Sequence, residues 1–114
     1  MMDSSSTSDF HYRHRRIWRQ RKVLRWIYEE WFHLIVSARS KVHGITVEVG
    51  GGIGALKSFL PDIYSSDISF CPWLDLNLEA TRLPFKDASL SNLIGFDVLH
   101  HLSEPLVLFS EAER

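Results

Sequence analysis

The sequence predicts an α/β domain built on a parallel β-sheet and preceded by an amphipathic helix, and three observations lead there. A β-branched run, Ile45-Thr46-Val47-Glu48-Val49, is bounded by glycines on both sides, which marks a buried strand. A glycine loop, Gly50 to Gly54, follows it at once and leads into Ala55-Leu56-Lys57-Ser58-Phe59-Leu60, a short helical stretch that Pro61 stops. The order of elements beyond, strand, strand, strand and helix, argues for a parallel sheet rather than a barrel or a sandwich.

Those later elements are short. Ile63-Tyr64-Ser65-Ser66 makes a second strand that ends at Asp67, and a third extended piece runs from Trp73 to Leu78. A turn falls at Leu83-Pro84-Phe85, a fourth strand covers Ser91 to Phe96, and Glu104 to Arg114 reads as a helix with Pro105 in its first turn.

The residues before the first strand follow a different rule. Met1 to about His11 is polar and serine-rich without periodicity, so residues 1–11 are expected to be a disordered tail. From Tyr12 to Ser40 the apolar residues Ile17, Leu24, Tyr28, Trp31 and Ile35 recur at spacings of 7, 4, 3 and 4, which places them on one helical face. One amphipathic helix, or one broken in two, accounts for this. Arg15, Arg16, Arg19, Lys22 and Arg25 take the opposite face, and Val42-His43-Gly44 forms the exit. The chain thus divides into a tail (1–11), a basic aromatic helical segment (12–44) and the sheet domain (45–114). Arginine interleaved with Trp18, Trp26 and Trp31 suits a nucleic acid or an anionic membrane surface. The expectation is instead that the aromatic stripe packs on the sheet or lids its pocket, with the arginines solvated and no nucleic-acid partner.

Composition narrows the class. The chain has 114 residues, 45% hydrophobic and 24% charged, which excludes the signature of disorder and predicts a packed core. A net charge of −1 conceals a split: residues 1–45 carry nine Lys or Arg against four Asp or Glu, and residues 46–114 carry four against ten. The single cysteine, Cys71, cannot form an internal disulfide, and the serine-rich N-terminus lacks a secretory apolar region, so the cytoplasm is the expected location. Trp26 to Val36, interrupted by Glu29 and Glu30, falls short of the ~20 apolar residues of a membrane span.

Glycines at a strand-to-helix turn let the backbone approach a ligand closely, and the N–H groups of the following helix face it. A nucleotide-type cofactor is the natural guest. Gly50, Gly52 and Ala55 satisfy the relaxed dinucleotide fingerprint G-x-G-x-x-G/A, with Asp67 17 residues beyond Gly50 as a ribose-binding acid. An NAD site is one reading. Glu48, two residues before the first glycine, would repel a pyrophosphate and welcome a cationic ligand.

A second stretch runs Glu79-Ala80-Thr81-Arg82-Leu83-Pro84-Phe85-Lys86-Asp87-Ala88-Ser89, followed by Ile94-Gly95-Phe96-Asp97-Val98-Leu99-His100-His101-Leu102. With it, the chain from about Thr46 to Arg114 resembles the class I S-adenosylmethionine-dependent methyltransferases, specifically the small-molecule branch known as methyltransferase type 11. The resemblance implies a Rossmann-like fold, S-adenosyl-L-methionine as cofactor and a small-molecule methyl acceptor. Glu48, Gly50, Gly52 and Gly54 match the family's first motif, with the glycines under the cofactor and the acid near its methionyl amino group. Asp67 matches the acid that takes the ribose hydroxyls, with Ile68 beside the adenine. Glu79 and Ala80 match the adenine-contacting Asp-Ala pair, and Phe96 and Asp97 fall beside the transferable methyl. Asp97 or His101 is the candidate base.

The chain departs from that family in three ways. Ile68 to Leu78 is too short for a crossover helix plus a strand, so a turn around Cys71-Pro72 is expected instead. Glu79 stands where Asp is usual. The chain stops at Arg114, where the family continues through a Leu-Lys-Pro-Gly-Gly turn into three more strands, so the resemblance implies a C-terminally truncated domain. A catalytically incomplete interaction module, with a homo-oligomer or a partner chain completing the sheet at strand four, is therefore the alternative to an enzyme, and an NAD-dependent oxidoreductase is the third reading. His100 and His101 point to different faces with no second ligand cluster, so no metal site is expected. Cys71 reads as a buried or turn residue.

Overall fold

The computed structural model describes residues 4–96 and 98–114. Helix α1 spans Ser4–Gln20 and α2 spans Lys22–Ala38; β1 (Ile45–Val49), α3 (Ala55–Phe59), β2 (Tyr64–Asp67), β3 (Leu76–Asn77), β4 (Leu90–Gly95) and α4 (Pro105–Glu113) follow. The four strands form one sheet in the order β3-β2-β1-β4, and every pairing is parallel. The chain is therefore an α/β domain, as the strand–loop–helix pattern predicts. No helix among the described residues is long and apolar enough to cross a membrane.

The N-terminal residues differ from expectation. Residues 4–11, read as a disordered tail, lie inside α1. The helical region is broken in two at Arg21, whose φ of −105° and ψ of 87° leave the helical range while its N–H still reaches the carbonyl of Ile17 at 3.1 Å. The helical segment packs on the sheet domain: Phe32 of α2 is 1% exposed and packs with Leu56, Ile63 and Ile94. Phe32 was outside the expected stripe. Two of the stripe's five members, Tyr28 and Ile35, pack against this cluster, while Ile17, Leu24 and Trp31 remain exposed.

Both sides of the sheet are covered. Ile94 joins Phe32, while its neighbour Leu93 packs with Val49, Leu83, Val98 and Leu108. Consecutive residues of a strand point to opposite faces, so these are two cores, with α2 and α3 against one face and α4 and the Leu83–Phe85 turn against the other. In the central strand β1, Val47 and Val49 are almost wholly buried on one face, and the buried polar residues Thr46 and Glu48 take the other. The helix-to-sheet exit is pinned by Asn92, whose amide donates to the Ser40 carbonyl at 3.2 Å while its oxygen accepts the Ser40 N–H at 2.8 Å.

The third strand is shorter than expected, two residues instead of six. Asp75 explains it: its carboxylate accepts the Ser65 N–H at 2.8 Å, the position a ladder carbonyl would otherwise take, and pairs with Lys57 at 3.1 Å. The connection from β2 contains no helix and turns at Cys71-Pro72, as its length requires.

Candidate functional site

In an open parallel sheet, connections that leave in opposite directions from neighbouring strands open a crevice at the strands' carboxyl ends. Here β1 leads outward to β2 and β3 on one side, and the chain returns to β4 on the other. Gly50, Asp67 and Phe96 fall at or just beyond those carboxyl ends. The fold thus brings together three parts of the sequence that carry the motif.

The loop between β1 and α3 needs its glycines. Gly50, Gly52 and Gly54 have φ of 69°, 50° and 80°, in the left-handed region that residues with a Cβ rarely adopt. Gly51 is needed for space rather than for φ, because a Cβ there would overlap Ser65 Oγ and come within 3.0 Å of Glu48 Oε1. The motif does not single out Gly51; its place in a run of three glycines was the only signal.

Asp67 closes the loop from the side. One carboxylate oxygen accepts the Gly52 N–H at 2.9 Å and the other accepts the Ser69 N–H at 2.9 Å. A carboxylate oxygen can accept a second bond, so Asp67 retains capacity for further donors.

Glu48 lies elsewhere than its motif role implies. It is 3% exposed, sits beneath Gly51 and accepts a hydrogen bond from Ser65 Oγ, its partner across the β1–β2 ladder. Burial pushes its carboxyl up to about 7; the Ser65 hydroxyl opposes that rise and the nearby charge of Asp67 adds to it. The group supports the loop from below rather than reaching into an open groove.

Above the loop lies an unexpected cover. The indole N–H of Trp73 donates to the Gly52 carbonyl at 2.7 Å, and its ring lies so near Gly54 that a Cβ there would meet Trp73 Cδ1 at 2.9 Å. Tyr12 stands edge-on to that ring at 4.9 Å and the Arg15 guanidinium lies 4.5 Å over it. Burial, with Arg19 nearby, lowers the pKa of Arg15. Helix α1 therefore reaches the glycine loop through Trp73, by Tyr12 and Arg15 rather than by the aromatic stripe, and Arg15 is half-buried where it was expected to be solvated. Tyr12, Arg15 and Trp73 themselves carried no motif.

The remaining candidates scatter. Ile68 is largely exposed; Glu79 is exposed and forms an antiparallel bridge with Arg82; Ala80 packs against the second core. Phe96 joins an aromatic cluster, 5.5 Å from Tyr28, 5.7 Å from Trp31 and 5.6 Å from Phe32. His101 ends a single 3-10 turn, Leu99–His101, and is exposed. Asp97 lies outside the described residues. Cys71 is buried, and burial next to Asp67 pushes its thiol up to about 11, which makes it a poor nucleophile. Among the described residues no group of His, Cys, Asp or Glu could hold a metal ion. Two clefts open elsewhere, one along β4 toward Arg114 and one around Val36 to Thr46, and neither borders the loop.

Comparison with family models, with curated proteins and with solved structures gives no match to this chain.

Proposed function

We propose that this chain is a Rossmann-like half of a class I methyltransferase domain that binds S-adenosyl-L-methionine over the Gly50–Gly54 loop and positions it for methyl transfer to a small-molecule acceptor. The observation that carries the reading is the loop itself: three glycines at positive φ, at the carboxyl end of the central strand of a 3-2-1-4 parallel sheet, held by an acid at the end of β2.

The donor and acceptor set fits such a group. Asp67 has acceptor capacity for vicinal hydroxyls, and charge-assisted bonds to them would be strong. Gly52 leaves the backbone open to close approach, with only the His11 ring within 4 Å of where a Cβ would sit, and Phe96 follows β4 at the carboxyl end of the sheet. When bound, the cofactor supplies a methyl group on a sulfonium, already electrophilic, so the chain's contribution is mainly alignment. Asp97 or His101 is the candidate for accepting a proton from the acceptor. Tyr12, Arg15 and Trp73 cover the loop and would exclude water.

One observation favours a second reading. With Glu48 enclosed beneath Gly51, its charge is withdrawn from the groove, so the argument against a dinucleotide weakens and NAD fits the same glycines and Asp67. Calorimetry of the 114-residue chain with S-adenosylhomocysteine and with NADH separates the two. Micromolar binding of the first, lost in Gly52→Arg, supports the proposal. Heat with NADH alone transfers the site to an oxidoreductase, and heat with neither leaves a non-catalytic module whose β4 edge pairs with another chain.

A further inference from the structure

Helix α2 is apolar on two sides. Its inward side carries Phe32, Tyr28 and Ile35 into the core. Its outward side carries Val23 at 72% exposure, Trp26 at 63% and Leu34 at 67%, with Ile27 also exposed. At 100° per residue these four fall within an arc of about 100°, an apolar stripe interrupted by Glu30 that no element among the described residues covers. Exposed apolar side chains gathered on one face in this way mark an interaction surface.

The charges beside the stripe say what would cover it. Arg19, Arg21 and Lys22 gather at the α1–α2 elbow, next to Val23 and one turn from Trp26, and Arg13 and Arg16 are exposed further along α1. Two copies meeting at this elbow would set Arg19, Arg21 and Lys22 against the same cations of the other copy. A nucleic acid would use the cations but gain nothing from Val23, Ile27 and Leu34, which offer no stacking surface. A surface that is both anionic and apolar just beneath uses both. At 17 residues, with Lys22, Arg25, Glu29 and Glu30 in it, α2 is suited to lie in the plane of a bilayer interface and not to span it.

We infer that the α1–α2 elbow docks on anionic lipid surfaces, with Val23, Trp26, Ile27 and Leu34 entering the headgroup boundary and Arg19, Arg21 and Lys22 contacting the lipid phosphates. Glu30 lies within the same arc and opposes binding. The inference is independent of what the glycine loop holds.

The test is co-sedimentation of the full chain with phosphatidylcholine vesicles, with and without a quarter of phosphatidylglycerol, read together with tryptophan emission. Binding to the anionic vesicles with a blue shift is expected. It should weaken at least about tenfold in 0.5 M salt, in Leu34→Glu and in the triple reversal Arg19→Glu, Arg21→Glu, Lys22→Glu, and tighten in Glu30→Gln. All five positions are exposed, and circular dichroism verifies that the variants fold. Equal binding to both vesicle types, or none, overturns the inference. So does a dimer by ultracentrifugation that Leu34→Glu dissociates, which assigns the stripe to a second copy, or a single-stranded oligonucleotide bound more tightly than vesicles and unaffected by Leu34→Glu.

Discussion

The indole nitrogen of Trp73 and the carbonyl oxygen of Gly52 lie 2.7 Å apart, so a residue 21 positions downstream ties the glycine loop to the turn after β2. The same ring supports Tyr12 and Arg15 of α1. Trp73→Phe keeps an aromatic ring for those contacts but removes the donor and the part of the indole that lies against Gly54. A net hydrogen bond contributes about 1 kcal/mol, so the urea midpoint should fall by at least that equivalent while the circular dichroism of α1 is retained.

Gly51 and Ser65 press against one another across the β1–β2 junction. Gly51→Ala forces a methyl into the Ser65 hydroxyl, and overpacking of this kind costs about 1–3 kcal/mol. Removing that hydroxyl relieves the overlap. The double variant with Ser65→Ala should therefore be less destabilised than the sum of the single variants, and a double-mutant cycle from chemical denaturation that shows simple additivity would contradict the contact.

Glu48 makes stability depend on pH. Its folded pKa of about 7 lies above its ordinary 4.5, so the folded state favours the protonated form. The contribution is fully present below about pH 4.5 and is lost as pH rises through 7. Glu48→Gln keeps an acceptor for Ser65 and cannot ionise. Each tenfold change in proton affinity between the folded and unfolded chain is worth about 1.4 kcal/mol, so the variant should gain on the wild type by up to about 3 kcal/mol between about pH 4.5 and about pH 8.5. Paired urea titrations at the two pH values check the difference, and an advantage that does not change with pH would exclude burial of the charge.

The elements whose signals are local were legible in the sequence. Ile45–Val49 is a strand because β-branched residues sit between glycines, and the loop after it follows from glycine's access to positive φ. The third strand was overestimated because Asp75 takes a ladder position with its side chain, a substitution that only the partner strand reveals. The serine-rich start of α1 reads as a tail because serine competes with helical hydrogen bonding. The expectation for Glu48 depended on which way one carboxylate turns, and Ser65, 17 residues away, decides that. The cover over the loop depends on residues 58 or more positions apart, Arg15 and Tyr12 with Trp73, for which periodicity provides no signal.

The sheet order has a kinetic consequence. The central strand meets β2 through residues 17 apart, as in Glu48 with Ser65, but meets β4 through residues 46 apart, as in Thr46 with Asn92. Closing the longer loop costs about 1 kcal/mol more chain entropy, so β1, β2 and the glycine turn between them can assemble first. β4 then arrives as the late step, and until it does one flank of β1 is open to any strand that reaches it. During synthesis the ribosome must release residues 90–95 before the central strand has both of its neighbours.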